Sequence, residues 1–388
     1  MALTVKDVLH LEIMKNFRIV AGAKGINKPV KETEILDFEF VGDFGNGRRK
    51  VFNGESIVLT SLLFAKDNPS EILEAVKKLK DLNVSAMAYK PVIFKELPQE
   101  VLDFANRSNF PILSFGDDEF FEDVILAVKE QTRKETHISE IELIIKDMIA
   151  RELSQGEAYM AHEKINPYLK GKIRIACVKS KDETEDDILS TLKRINISEK
   201  LKQKTEVCKY EDCYLIILSQ EENDEARFKA LLEDVFVAYN LNENDLIIGY
   251  SETRPLDIGF DKTVREAYWA KNIAVAEKAR IKRYADIGTY KLIVPQINSA
   301  NTINYMKDYL RPLFAEDEKD GELLKTAVEY VLSKGDVIKA AERLFCHKNT
   351  IRYRIGKLQE KLDPTSNEKE FYENLSIAIK IYMLSNRK

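Results

Sequence analysis

The chain has 388 residues, which is too long for one ordinary core, so about two to four domains are expected. Hydrophobic residues make up 44% and charged residues 32%, a balance typical of folded globular domains and not of a disordered chain. The formal net charge of −5 argues against a protein that coats nucleic acid with its whole surface. No apolar run is long enough to span a membrane, and the early acidic residues argue against a signal peptide.

Cysteine and histidine are sparse and scattered. Neither CxxC pairs nor a metal-binding spacing occurs, so the sequence predicts no metal site and no cofactor. Unpaired thiols favour structural cysteines in the reducing cytoplasm. The residues concerned are Cys177, Cys208, Cys213, Cys346, His10, His137, His162 and His347.

Residues 1–125 alternate strand-like apolar runs with amphipathic helical ones. Strands are predicted at 56–60, 84–89 and 110–115, and helices at 70–82 and 98–108. Such alternation is typical of parallel strands joined by crossover helices, so this part of the chain is predicted to be an α/β domain.

One glycine-rich loop, residues 42–50, ends in basic residues. Backbone amides near Gly45 and Gly47, together with Arg48, Arg49 and Lys50, could cradle an anion. The loop lacks the GKS or GKT ending of a P-loop, so a surface loop is the default interpretation and anion binding the alternative.

Residues 126–166 are predicted to be a helical linker, ending at Gly156 or at Asn166-Pro167. Four apolar residues recur there at helical spacing. They fit either a short coiled-coil seam between two copies or one helix lying on a domain. These residues are Ile138, Ile141, Ile145 and Met148.

Residues 167–295 are predicted to form a second mixed domain. The expected order is a strand at 172–178, a helix at 186–195, a hairpin of 207–210 with 214–218, a helix at 225–239, a strand at 246–250 and a helix at 261–277. This order is that of a nucleotide-cyclase-like α+β domain. An active cyclase would need a glycine-rich acidic signature at the hairpin turn, whereas Glu211 and Asp212 have no glycine beside them. We therefore predict no catalytic residues in this domain.

Residues 300–388 are predicted to be helical, with scaffold helices at 322–333 and 370–385 around a hairpin of two short helices. Asp336 is the predicted N-cap of the first helix and Asn349-Thr350 that of the second. The first helix should bury Val337, Ala340, Ala341, Leu344 and Phe345, and the second Ile351, Ile355, Leu358 and Leu362.

The second helix of this hairpin is strongly basic. Between residues 339 and 361 there are seven Lys or Arg and two Glu, although the whole chain is acidic. Asn and Arg pair with base edges, and Lys binds phosphate, so the face turned away from the apolar stripe suits a DNA major groove. A basic solvated face on an ordinary helical hairpin is the alternative. The predicted DNA contacts are Asn349, Thr350, Arg352 and Tyr353 at bases or adjacent backbone, and Lys348, Arg354 and Lys357 at phosphates.

The run AAERLFCHKNTIRYRIGKLQEKL, residues 340–362, resembles the C-terminal helix-turn-helix of the PucR-type (purine-catabolism-regulator-like) bacterial transcriptional regulators. The matching pieces are Ala341, Glu342 and Leu344, then residues 347–350 and 352–354. Residues 54–60 are similar to the N-terminal domain of that family, and residues 248–250, 267–270 and 283–286 to its degenerate GGDEF-like middle domain.

The resemblance implies a multidomain α and β protein: an α/β sensor domain at 1–125, the helical linker, a GGDEF-like α+β domain at 167–295 and an all-α helix-turn-helix domain at 300–388. It implies a cytoplasmic, sequence-specific regulator that binds double-stranded DNA and responds to a small metabolite of nitrogen or purine metabolism. Since a single helix-turn-helix makes few contacts with DNA, a homodimer or higher homo-oligomer is expected. The alternatives are a nucleotide-binding or cyclase-like enzyme and a scaffold whose hairpin binds protein.

Overall fold

The computed structural model describes residues 3–37, 52–116, 119–195, 197–314 and 318–386. The chain divides into an N-terminal unit, Met1–Glu140, and a C-terminal unit, Ile141–Lys388. The glycine-rich loop at 42–50, with Gly45, Gly47, Arg48 and Arg49, lies outside the described residues.

The N-terminal unit is built on a five-stranded sheet with the order β1-β5-β4-β3-β2. β2 to β5 are parallel, and β1 runs antiparallel to β5. Its elements are α1 (Val5–Leu9), β1 (Arg18–Ala21), β2 (Glu32–Leu36), β3 (Ser56–Thr60), α2 (Ser70–Asp81), β4 (Ala86–Tyr89), α3 (Gln99–Ser108), β5 (Ile112–Ser114) and the first part of α4 (Phe121–Ala150).

Helices cover both faces of this sheet. α2 and α3 pack on one face with Ile72, Val76 and Val101, whereas α1 and the start of α4 pack on the other with Val8 and Val124. The predicted α/β alternation is therefore confirmed. β1 and β2 are additional edge strands that the apolar pattern did not reveal, because both are short and partly exposed.

The long helix α4 ends at Ala150, and a separate helix α5 (Gln155–Ile165) follows. The helical run thus has a break that was not predicted, and α5 ends at Ile165 with Asn166 as its C-cap, in agreement with the second predicted end, Asn166-Pro167. Ser154 caps α5 through a capping box with Glu157, so the chain leaves the helix at residues 151–154.

The apolar row of α4 packs on the sheet of the C-terminal unit. Ile141, Ile145 and Met148 are buried against Ile175, Leu215 and neighbouring residues, while Ile138 is only partly buried. In this chain the row therefore has the second predicted arrangement, one helix lying on a domain.

The rest of the C-terminal unit comprises a sheet with its helices and a helical part. The elements are β6 (Lys172–Ser180), α6 (Glu185–Arg194), α7 (Glu199–Lys202), β7 (Thr205–Tyr210), β8 (Cys213–Gln220), α8 (Glu225–Ala238), β9 (Leu246–Tyr250), β10 (Arg254–Pro255), α9 (Leu256–Ala276), β11 (Ile281–Arg283), α10 (Tyr290–Ile293), α11 (Ala300–Leu310), α12 (Glu318–Leu332), α13 (Val337–Arg343), α14 (Lys348–Leu362) and α15 (Glu368–Ser385).

Its sheet has the order β11-β9-β6-β8-β7, with β10 paired to β6. β7 and β8 form the predicted antiparallel hairpin, and β9 and β11 are parallel. α4, α5 and α9 cover one face, and α6 and α8 the other. Gly249 of β9 lets α9 approach closely, because a Cβ atom there would lie 2.0 Å from the backbone nitrogen of Lys271.

Glu206 of β7 is half-buried, and Nδ2 of Asn166 donates to its Oε2 at 3.0 Å. Burial nevertheless raises the pKa of Glu206 to about 7. The folded state therefore binds the proton of the Glu206 carboxyl group more tightly than the unfolded chain does. As a result, the free energy of unfolding falls as pH rises from about 5 to 7.

Glu206→Gln should remove this decrease in the free energy of unfolding, which is about 1–2 kcal/mol after allowance for partial exposure. Urea titrations at pH 5 and pH 8 measure it; an equal difference between wild type and variant at both pH values contradicts the prediction.

The last helices pack together on α9. α15 lies against α11, α12 and α9, and buries Phe371, Leu375 and Ile379 in one cluster with Ile273 of α9 and Leu358 of α14. None of the described helices is long and apolar enough to cross a membrane.

Candidate nucleic-acid interface

The first helix of the hairpin, α13, begins as predicted. Oδ1 of Asp336 accepts hydrogen bonds from the backbone N–H groups of Ile338 at 2.9 Å and Lys339 at 3.2 Å. Because these N–H groups have no partner inside the helix, the carboxylate satisfies two otherwise unpaired donors.

α13 ends in a Schellman motif. The backbone N–H of Cys346 donates to the carbonyl of Ala341 at 3.0 Å, and that of Phe345 to the carbonyl of Glu342 at 3.2 Å. Phe345 has φ +51° and a side chain that is 97% exposed. The prediction that Phe345 packs inward with Leu344 is therefore wrong. The helix stops before Phe345, and its left-handed backbone turns the side chain out of the apolar row.

The N-cap of the second helix, α14, lies two to three residues before the predicted cap. His347 is the N-cap, and its Nδ1 accepts from the backbone N–H of Asn349 at 3.2 Å. The prediction that Asn349 and Thr350 cap this helix is wrong, because both already lie in its first turn. As a result the side chain of Asn349 is not used as a cap.

The apolar stripe of α14 is confirmed. Ile351 and Leu358 are fully buried, and Ile355 and Leu362 are partly buried. Ile351 packs on Ala340 and Ala341 of α13. Each buried side chain of this size contributes about 1.5–3 kcal/mol by leaving water, so the stripe fixes which face of α14 remains free.

The free face carries most of the predicted DNA contacts. Lys348, Asn349, Arg352, Tyr353 and Lys357 are exposed, and Thr350 is half-buried. Across the described residues the side chains of Lys348, Asn349 and Arg352 make no hydrogen bond or ion pair. Lys357 pairs with Glu360 at 2.6 Å, which raises the pKa of the lysine, and it lies 6.0 Å from the ring centre of Tyr353.

Unlike the exposed residues of the free face, Arg354 is bound by side chains of another helix. Its Nη2 binds Oε2 of Glu322 at 2.5 Å, its Nη1 donates to Oγ1 of Thr326 at 3.4 Å, and its side chain is 23% exposed. Both partners belong to α12. Since a second link joins Arg343 of α13 to Glu329 of α12 at 3.4 Å, the scaffold helix holds both helices of the hairpin.

The hairpin turn between β7 and β8 is occupied by side chains of this chain. Oε1 of Glu142, on α4, accepts from the backbone N–H of Glu211 at 3.1 Å and from Nζ of Lys209 at 2.7 Å. Asp212 pairs with Lys179. In the described part of the chain no group of three or more His, Cys, Asp or Glu side chains could hold a metal ion.

A cavity of about 500 Å³ lies in the C-terminal unit between α8 and the ends of β9 and β11. Nη2 of Arg174 binds Oε2 of Glu225 at 2.6 Å, and Nη2 of Arg283 lies 3.6 Å from Oε1 of the same carboxylate. The Arg174 guanidinium lies 5.0 Å from the ring centre of Phe228. Hydrogen bonding to Arg174 lowers the pKa of Glu225, and burial raises the pKa of Tyr250, on the cavity wall, to about 12.

This cavity could not be predicted from the sequence. Arg174, Glu225 and Arg283 come from β6, α8 and β11, any two of them at least 51 positions apart along the chain, and each is unremarkable in its local pattern. Only the pairing of β6 with β9 and of β9 with β11 brings Arg174 and Arg283 to the same carboxylate.

A short first helix, a sharp turn and an exposed cationic second helix define a helix-turn-helix. Residues 323–381 match the family described as PucR C-terminal helix-turn-helix domain, and residues 7–131 match the Purine catabolism regulatory protein-like family, PucR. The chain therefore contains a PucR family domain at residues 7–131 and a PucR C-terminal helix-turn-helix domain at residues 323–381.

Two curated relatives come from Bacillus subtilis (strain 168). The chain is 22% identical to the Purine catabolism regulatory protein over 172 residues, which is 44% of this chain and 28% of that protein. It is 37% identical to the Proline-responsive transcriptional activator PutR over 78 residues, 20% of this chain and 19% of that protein. The chain thus spans less than a third of the length of either relative.

A crystal structure of the Regulator of Polyketide Synthase Expression from Bifidobacterium adolescentis also matches. It is 15% identical with a TM-score of 0.29, and the match covers 65% of this chain and 95% of that one.

Proposed function

We propose that this chain is a sequence-specific DNA-binding transcription regulator that binds DNA through α13 and α14. One observation carries the proposal: Lys348, Asn349 and Arg352 are exposed and unpaired on the first two turns of a helix in a helix-turn-helix. Unpaired donors at this end of a recognition helix are what base edges and phosphates need.

The residues have separate roles. Asn349, Thr350, Arg352 and Tyr353 contact base edges or the adjacent backbone, with Asn349 suited to adenine and Arg352 to guanine. Lys348 and Lys357 contact phosphates. Arg354 acts instead as a positioning residue, because Glu322 and Thr326 already bind its guanidinium.

Selection of binding sites from a random DNA pool tests this function directly. The full chain should enrich one defined sequence, and the logarithm of its binding constant should fall linearly with the logarithm of salt concentration. Lys348→Ala should flatten that slope by about one, since one phosphate contact is lost. Failure to enrich any sequence, or binding without salt dependence, contradicts the proposal and favours a hairpin that binds protein.

The regulator is proposed to act as a homodimer or higher homo-oligomer on a two-fold DNA site. One α14 helix supplies only a few base contacts, and paired helices reach half-sites about 34 Å apart. The enriched sequence should then be a palindrome with that spacing. Light scattering of the full chain measures the oligomeric state independently.

The proposed effector is a small metabolite of nitrogen or purine metabolism, in keeping with the names of the two Bacillus relatives. The cavity beside α8 supports a response to such a ligand, because its volume of about 500 Å³ falls in the range of small-molecule sites. Its loop wall is held rigidly: the backbone N–H of Glu252 donates to Glu266 at 3.1 Å, and Arg254 binds the same buried carboxylate at 2.6 Å.

Within this cavity Glu225 occupies the place that the carboxylate of a ligand would take between Arg174 and Arg283. Glu225→Gln should therefore raise the affinity for a carboxylate ligand about tenfold, and Arg283→Gln should lower it about tenfold. Calorimetric titration of the full chain with L-amino acids measures both changes. Arg227→Gln, on the same helix but outside the cavity, is the control; two variants that shift affinity in the same direction contradict the arrangement.

We further propose that the sheet domain is a degenerate, non-catalytic GGDEF-like domain. The backbone of Glu211 and the side chain of Asp212 are both engaged within the chain, by Glu142 and Lys179, where a catalytic turn would hold a metal-bound triphosphate. Turnover of nucleoside triphosphates in the presence of Mg²⁺ would favour the alternative of a cyclase-like enzyme.

A further inference from the structure

Phe345 stands at the turn of the helix-turn-helix with its side chain in water. At 97% it has the largest exposed fraction of the large apolar side chains in the described part of the chain. A ring exposed to this extent contributes almost nothing to folding through burial, so folding does not account for a large aromatic residue at this position.

The backbone of Phe345 is also in an unfavourable conformation. Its φ of +51° is left-handed, a region in which glycine and asparagine are favoured over bulky residues. The other described α-helices that end in this conformation use a polar residue there. These residues are Asn83 after α2, Asn109 after α3, Asn240 after α8, Lys278 after α9 and Lys334 after α12. Phe345, a large apolar residue, thus differs from the polar residues at these other helix ends.

The surroundings of Phe345 indicate what it meets. Together with Ile338, which is 57% exposed, and Lys348 of the free face, it lines a shallow depression that also includes Glu342. The carboxylate of Glu342 disfavours a phosphate at this spot. An apolar depression next to a base-reading helix instead suits an uncharged methyl group, and thymine carries one in the major groove.

We propose that Phe345 contacts the 5-methyl group of a thymine beside the base pairs that α14 reads, and so helps to set sequence preference. This inference rests on the proposed DNA-binding function. It accounts for the exposure and the unfavourable backbone together, because the hydrogen-bonded turn fixes the direction in which the exposed side chain leaves the backbone.

The experiment uses the full chain and the DNA site enriched from the random pool. Each thymine of that site is replaced in turn by deoxyuridine, which lacks only the methyl group. Wild type should lose about fourfold in affinity at one position, the effect of exposing one methyl group. Phe345→Asn should bind the unmodified site about fourfold more weakly and be insensitive to deoxyuridine at that position. Phe345→Leu should keep part of the sensitivity.

Two controls separate this contact from folding. The melting temperature of Phe345→Asn should be no lower than that of wild type, since asparagine already serves at three other helix ends. Phe120→Ala removes another exposed aromatic side chain, 61% exposed in the N-terminal unit, and should leave the deoxyuridine response unchanged.

The outcomes distinguish the contact from the function on which it rests. If no DNA sequence is enriched, the proposed function fails. If a sequence is enriched but contains no fixed thymine, or wild type tolerates deoxyuridine everywhere, only the Phe345 contact is overturned. The same holds if Phe345→Asn retains the methyl sensitivity of wild type; the exposed ring would then be assigned to a protein partner.

Discussion

Replacing Asn349 and Arg352 together by alanine is expected to lower the preference for the enriched DNA site over an unrelated duplex by between about 30-fold and 10⁴-fold. Each side chain is exposed and free to form a bidentate contact with a base, and each such contact contributes about 1–3 kcal/mol of discrimination. Binding to the unrelated duplex should weaken much less, because Lys348 and Lys357 remain to contact phosphates.

Fluorescence anisotropy with both duplexes, at one fixed salt concentration, measures this preference. The control is Arg107→Ala, which removes an exposed arginine from α3 of the N-terminal unit and should change neither affinity. A double variant that distinguishes the two duplexes as well as wild type does would refute the assigned reading face. An equal loss of affinity for both duplexes would indicate that Asn349 and Arg352 contact phosphates and not bases.

Much of this reading face could be predicted from sequence because its determinants are local. The buried positions of α14 recur at helical spacing, so Ile351 and Leu358 fix the opposite face without any tertiary information. The same holds for the β7–β8 hairpin and for the strands β3, β4 and β5, whose apolar runs are dense.

The predictions for the hairpin were wrong where a single residue determines the position at which a helix begins or ends. Phe345 continues the apolar spacing of α13, yet the helix ends at Arg343, two residues earlier, where the Schellman hydrogen bonds close it. His347 was missed as a cap because imidazole is an uncommon cap beside Asn and Thr, which stand two and three residues later. Spacing alone cannot locate such ends.

Ion pairs and strand pairings between distant parts of the chain could not be predicted from the sequence either. Arg354 looks like its basic neighbours, but Glu322, its partner, lies 32 residues earlier on α12. The cavity around Glu225 depends in the same way on how β6, β9 and β11 pair. Charge patterns report which residues are polar, and only packing decides which of them remain free.

Arg265→Ala is expected to lower the free energy of unfolding of the C-terminal unit by about 3–5 kcal/mol. Arg265 lies on α9 and is 6% exposed. Its Nη1 donates to the carbonyl oxygens of Met148 at 2.7 Å and Arg151 at 2.6 Å, and its Nη2 to Asp261 at 2.7 Å. One guanidinium therefore satisfies the carbonyl groups at the end of α4, which no helical N–H can reach.

The expected loss is large because alanine would leave several buried groups without partners. Asp261 would retain only the backbone N–H of Leu153, at 3.1 Å, as a donor to its Oδ2. An uncompensated carboxylate in that position is more costly than the loss of the ion pair itself. Adding Asp261→Asn to Arg265→Ala should recover part of the stability, since the second change removes the unpaired charge.

Arg151→Ala is the matched control for the loss of an arginine in this region. Its guanidinium pairs with Asp147 at 2.7 Å and Glu157 at 2.9 Å, but its side chain is 48% exposed. Exposed pairs contribute about 0–1 kcal/mol, so this variant should unfold near wild type in urea. If Arg151→Ala and Arg265→Ala destabilised the unit equally, burial would not be the deciding factor. The end of α4 would then depend on its apolar row, Ile141, Ile145 and Met148, and not on the arginine that caps it.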